Sequence, residues 1–128
     1  MRTKCVVSTQ NAPGAIGPYS QGIKTGGLLF ISGQLPIDMA GGELSTGSIA
    51  EQTRCSLRNA AAVAAAAGTG LENAVKTTVF LTDMADFAEV NGAYAEFFPQ
   101  DPPARSCVAV AALPKNARVE IEVVCALP

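Results

Sequence analysis

Histidine and tryptophan are absent from this 128-residue chain, aromatic residues make up 5% of it and charged residues 16%. Each shortage removes a class of function. Without histidine no Ser-His-Asp or Cys-His constellation can form, which leaves carboxylates, tyrosines, cysteines and arginines as the chemical inventory. Neither GxxxxGK[ST] nor GxGxxG occurs, so no phosphate-cradling loop is expected. Nine basic against eleven acidic side chains give a formal charge of −2, a balance that weighs against nucleic acid as the main partner. No apolar run approaches the about 20 residues of a membrane span, and MRTKCVVSTQNAPG has no apolar core of signal-peptide length. A cytoplasmic protein without membrane attachment is expected. Cys5, Cys55, Cys107 and Cys125 form no CxxC pair, and four buried, reduced cysteines are expected in place of a metal site.

Apolar material, at 48%, is plentiful. A chain of this length buries roughly two-thirds of its unfolded surface, so one domain over residues 1–128 is expected. Because charged residues fall below the typical share of about a quarter, little polar surface remains for a small sphere. Burial of one face in an oligomer would resolve that shortage.

Short apolar, β-branched runs at Cys5 to Val7, Leu28 to Ser32, Val75 to Leu81, Ser106 to Ala112 and Val119 to Cys125 read as strands, most of them bounded by Gly, Pro or Asn. Two helices lie between them. The first opens on a capping-box pattern, Ser48-Ile-Ala-Glu51, carries Ile49, Thr53, Leu57, Ala60, Ala64 and Ala67 at helical spacing, and stops at Gly68. The second takes Asp83 as N-cap, carries Phe87, Val90, Tyr94 and Phe97, and stops before Pro99. The order is strand, strand, strand, helix, strand, helix, strand, strand. It predicts an α+β fold in which a mixed β-sheet of five or six strands is covered on one face by two α-helices. The other face is left needing a partner.

Arg105 follows Pro102-Pro103-Ala104 at the mouth of an apolar strand, where its planar fork suits a carboxylate, although a surface arginine at a strand end has the same position. In Val119-Glu120-Ile121-Glu122-Val123, strand alternation puts Glu120 and Glu122 on one face. A solvated polar face has the same pattern. Tyr19 in GPYSQ and Ser32 in SGQ are polar groups held among glycines, which turn chemistry alone explains. Asn91 precedes Gly92 inside the second helix, where glycine is unfavourable by roughly 1 kcal/mol relative to alanine. Either the helix tolerates it or something packs closely there. Cys107, with no histidine base, reads as structural before it reads as a nucleophile.

If the last two strands form a hairpin around Lys115, Val110 faces Glu120 and Arg105 lies near Cys125. Five residues at about 3.3 Å each then separate Arg105 from Glu120 by roughly 17 Å, too far for one small ligand to touch both. Either a bulge changes that register or the site is assembled between subunits. The second is the working expectation.

The segments AIGPYSQGI, LLFISGQLPID, AVKTTVFLTDMADFAEVNGAYAEFF and PPARSCVAVAALPKNARVEIEVV resemble, in order and spacing, the Rid/YjgF family of reactive-intermediate deaminases. They are most similar to its RidA subgroup, whose defining arginine is matched by Arg105. The resemblance implies a chorismate-mutase-like subunit assembled as a homotrimer, with clefts between subunits. Such clefts take 2-imino and 2-enamino acids, including 2-aminoacrylate/2-iminopropanoate and 2-iminobutanoate, and hydrolyse them to 2-keto acids and ammonia with no cofactor or metal. By the same resemblance Arg105 would hold the substrate carboxylate, the backbone at Cys107 would contact the imine nitrogen or water, and Glu120 would orient or deprotonate that water. Tyr19, Ser32 and Asn91 would line the cleft. Two other readings compete with this one: a sensor that binds 2-keto acids without turnover, and a ribonuclease or translation inhibitor. The acidic balance and missing histidine weigh against the last.

Overall fold

Ser48 opens helix α1 (Ile49–Ala66) by accepting the Glu51 N–H on its hydroxyl at 3.1 Å. The structure, a computed structural model, describes residues 3–128; Met1 and Arg2, the start of the segment read for a signal peptide, lie outside them. Only half of the expected capping box forms. The Glu51 carboxylate turns instead to Arg54 at 3.3 Å and Arg58 at 2.6 Å, because charge-assisted bonds outcompete the reach back to a backbone N–H. At the other end Gly68 takes φ +88°, its N–H meets the Ala65 carbonyl and the Thr69 N–H meets the Ala64 carbonyl, each at 3.0 Å. This is a Schellman stop, and it needs the left-handed residue that glycine supplies. Ile49, Thr53, Leu57, Ala60, Ala64 and Ala67 are all buried, as their spacing predicts.

Asp83 caps a different element from the one expected. Its carboxylate accepts the Ala85 N–H at 2.9 Å and starts a 3-10 turn, Met84–Asp86, so that α2 runs only Phe87–Ala95. The tight turn satisfies its own backbone by i→i+3 bonds such as Asp86 N–H to the Asp83 carbonyl at 3.1 Å. Val90 and Tyr94 are buried, and Phe98 joins them in the core.

The main sheet has six strands in the order β1-β2-β3-β8-β6-β7: β1 Cys5–Val7, β2 Gly22–Thr25, β3 Leu28–Gln34, β6 Ala74–Leu81, β7 Ala104–Ala109 and β8 Val119–Ala126. A small separate hairpin joins β4 Ile37–Asp38 to β5 Glu43–Leu44. Neither β2 nor this hairpin was marked by an apolar run. Every neighbouring pair of the main sheet is antiparallel except β6 and β7. Both helices lie on one face, where Leu29, Ile31, Val79, Leu81, Val119, Ile121, Val123 and Cys125 pack under Leu57, Ala60, Val63 and Ala64. Ile23, Phe30, Phe80, Val108 and Val124 alternate to the other face, with Phe30 45% exposed. The uncovered apolar face expected from the helix count is present.

The expected β7–β8 hairpin does not exist. Strand β6 lies between them, parallel to β7 and antiparallel to β8. A crossover through α2 returns the chain to the same end of the sheet, which makes β6-α2-β7 a parallel unit. Strand β8, alternately buried along its length, then takes a central place that the exposed β7 could not fill. β7 also starts two residues earlier and ends three earlier than predicted. The cysteines need one correction: Cys55 and Cys125 are buried and Cys107 is half-buried, but Cys5 is exposed on the outermost strand. Among the described residues no helix is long and apolar enough to cross a membrane.

Candidate active site

Three of the six singled-out residues come together at one end of the uncovered face. Tyr19, Ser32 and Glu120 line a cleft of about 770 Å³, with Ile16, Lys115 and Glu122 among its other walls. Strand β3 carries one extra residue against β8 there, since Ile31 pairs with Val123 but Gln34 with Ile121. This bulge brings Gly33 against Glu120, and bulges re-aim side chains in this way. Burial, and secondarily the neighbouring Glu122 charge, holds the Glu120 carboxyl above the usual carboxylate range. Tyr19 is 52% exposed. Ser32 is less available than its position suggests: its hydroxyl donates to the Ser20 carbonyl at 2.6 Å, and its N–H to the Gln21 carbonyl at 2.9 Å.

Buried carboxamides fix the loops around this cleft. Gln21, 4% exposed, accepts the Thr9 N–H at 2.7 Å and donates to the carbonyls of Thr9 at 3.0 Å, Ala12 at 3.3 Å and Pro13 at 2.8 Å. Asn59 donates from α1 to the carbonyls of Leu35 at 3.2 Å and Ile37 at 2.9 Å. Polar side chains that replace backbone partners in this way are how irregular segments can stay ordered beside a core.

Arg105 and Asn91 meet elsewhere. The Arg105 guanidinium donates to the Asn91 side-chain oxygen at 2.7 Å and lies 5.0 Å from the Tyr94 ring centroid and 5.5 Å from that of Phe87. These three α2 positions share one stripe of the helix at spacings of four and three. The spacing was visible in the sequence, yet Tyr94 read there only as core. Its hydroxyl is 2.7 Å from the Thr77 hydroxyl, and burial, offset by that bond and by the Arg105 charge, raises its pKa. The aromatic rings and Asn91 use one side of the guanidinium. Among the described residues nothing else bonds it, which leaves most of a rigid fork of donors open in a shallow recess with Pro102 and Pro103.

Cys107 lies two residues along the same strand, half-buried, and burial raises its thiol pKa although the Arg105 charge opposes this. A thiol held protonated is a poor nucleophile. Its backbone is better placed. The Val110 N–H donates inward to the Leu81 carbonyl at 2.7 Å, so by alternation the Cys107 N–H and C=O point to the free edge of β7.

Arg105 and Glu120 therefore do not share a pocket. Thr77 pairs with Arg105 on the helix side of the sheet, whereas Phe80 pairs with both Val108 and Glu120 on the open side. Three residues of offset amount to about 10 Å along the strands, two strand spacings add about 10 Å across, and the side chains point to opposite faces. The expected distance was of the right order, but its cause is the inserted β6 and not a hairpin.

The family profile described as Endoribonuclease L-PSP matches residues 9–127. The RutC family protein y4sK of Sinorhizobium fredii is 57% identical over 121 residues, covering 94% of this chain and 96% of that protein. The human protein named 2-iminobutanoate/2-iminopropanoate deaminase is 47% identical over 119 residues, covering 93% and 87%. Among solved structures, Escherichia coli TdcF with bound serine superposes with a TM-score of 0.92 at 43% identity, covering 97% of this chain and 99% of that one. Relatives named deaminases match with the same single α+β domain, so the chain belongs to the Endoribonuclease L-PSP family, the Rid/YjgF family of the sequence resemblance.

Proposed function

We propose that this protein hydrolyses 2-imino and 2-enamino acids, 2-iminopropanoate and 2-iminobutanoate among them, to 2-keto acids and ammonia. The observation that carries the reading is the division of the site. A carboxylate anchor, Arg105, and a half-buried acid, Glu120, stand on opposite faces of one sheet. Each has an open side, and each lacks the other. The face of one copy that presents Arg105 and the free edge of β7 completes the face of another that presents Glu120 and Tyr19. A closed homotrimer repeats that junction and covers the apolar face that carries Phe30 and Val108.

In such a cleft Arg105 takes the substrate carboxylate in its open fork while Asn91 and the two rings keep the guanidinium from rotating away. The outward backbone at Cys107 holds the imine nitrogen. Glu120, as a carboxylate, accepts a proton from water as the water oxygen bonds to C2 and the C=N π pair moves to nitrogen. With the imine entering protonated, the carbinolamine then takes that proton back from Glu120 on its nitrogen, and the C–N bond breaks as ammonia leaves with the bonding pair. The hydroxyl oxygen closes the keto group as its proton passes to Glu120 and on to the ammonia. Water is the only co-reactant in this balance. A raised pKa suits Glu120 to both steps, since a group poised nearer neutrality gives up its proton as readily as it takes one. Positioning supplies most of the remaining acceleration, because the imine is already electrophilic once protonated.

The test is 2-iminobutanoate generated by an amino-acid oxidase, with semicarbazide competing for free imine. Faster ammonia release with the protein, lost on Arg105→Ala, is expected. No acceleration while 2-ketobutyrate still binds would replace the enzyme by a carboxylate-binding protein.

A further inference from the structure

Gly33 occupies the bulge of β3, yet its backbone is not in the left-handed region that Gly26, Gly27, Gly42 and Gly68 adopt. Conformation alone therefore does not require glycine there. Space does. A Cβ built at Gly33 would overlap the Glu120 carboxylate, and the three atoms nearest to it all belong to Glu120. We infer that Gly33 is a positioning residue for the reaction: the volume left by its missing side chain seats the Glu120 carboxylate against the sheet, at the height where it meets water and substrate.

This inference rests on the reading of Glu120 as the group that handles water. The extra residue of β3 puts a main-chain segment where a cross-strand side chain would stand, and only a residue without Cβ lets a carboxylate lie flat on that segment. An alanine at 33 forces Glu120 to swing outward or the bulge to open. The ionisable groups around the carboxylate are Glu122 on its own strand, Lys115 in the turn before β8 and Tyr19 on the loop, all lining the same cleft. From β6, Phe80 stands opposite, and Lys76, farther along, donates to Ser106 at 3.2 Å. A carboxylate swung outward loses the burial that holds its proton.

Gly33→Ala is expected to lower kcat on 2-iminobutanoate about tenfold or more, within the range a positioned general base supplies. KM should stay within about twofold, because the Arg105 anchor is untouched. The acid limb of the kcat profile should move to lower pH, a shift that a merely structural glycine would not produce. Introducing Gly33→Ala into a Glu120→Ala background should change neither kcat nor melting temperature further, since the obstacle is gone. Wild-type kcat and pH profile in Gly33→Ala would overturn the inference, as would an equal loss of stability in both backgrounds. Should Gly33→Ala fail to fold, folding of the double variant supports the inference and its failure to fold refutes it. If Glu120→Gln keeps full activity, the reading of Glu120 itself fails. If Glu120→Gln is inactive while Gly33→Ala is fully active, only the role of Gly33 fails.

Discussion

Asn91 fixes Arg105: the amide oxygen accepts from the guanidinium at 2.7 Å across the gap between α2 and β7. An otherwise exposed arginine is thereby held with its remaining donors in one plane. Asn91→Ala is expected to raise KM for 2-iminobutanoate about fivefold with little change in kcat, as loss of roughly 1 kcal/mol of orientation implies. Steady-state ammonia release measures it, and an unchanged KM would mean that the rings alone hold the guanidinium. Arg105→Lys should not restore binding, because an ammonium offers no bidentate fork.

Division of the site between faces predicts complementation. Arg105→Ala and Glu120→Gln chains should each be inactive, yet regain activity when unfolded together and reassembled. At equal mixing, roughly a quarter of clefts that draw Arg105 from one copy and Glu120 from another are intact. Recovery to about that fraction of wild type is expected. No recovery would show that both residues serve within one chain.

Glu120 predicts opposite effects on activity and stability. In the folded protein it keeps its proton above the ordinary 4.5, through burial and then through Glu122, so the native state binds more protons than the unfolded chain in that window. Stability is therefore lost as pH rises from 4.5 through the folded-state value. Glu120→Gln should melt higher than wild type at pH 8, with the difference closing toward pH 4, while kcat falls about 100-fold. Thermal melts at the two pH values check the first half, and a variant that melts lower at pH 8 would contradict it.

Gln21 anchors the loop that carries the Tyr19 wall through four hydrogen bonds made from one buried amide. Gln21→Leu leaves one N–H and three carbonyls without that partner and should destabilise the protein by about 2–4 kcal/mol. Hydrogen exchange at the Thr9 amide should accelerate more than exchange in β8. Equal acceleration in both would mean that the loop opens only with the whole fold.

Local signals in the chain were accurate wherever neighbours within a few residues decide the structure. Ser48 and Gly68 bounded α1, and the small residues between them faced the sheet as their spacing required. Glu120 and Glu122 alternated to one face as strand geometry demands. Of three strands counted before α1 only two were placed, because Gly22–Thr25 is four residues long and interrupted by Lys24, so it takes its strand identity from pairing with β1 and β3. Asp83 was read as an α-cap, since capping preference does not distinguish a 3-10 start from an α start.

By itself the sequence determined the α+β class, two helices on one face, the family and the residues with chemical capacity, because these follow from periodicity, caps and motif order. Tertiary structure alone decided that β8 enters between β3 and β6, so that Arg105 and Glu120 point away from each other. It alone decided that a bulge sets Gly33 beneath the Glu120 carboxylate. Strand order and register arise from packing between segments dozens of residues apart, and no local pattern encodes which of two apolar strands will take the centre of a sheet.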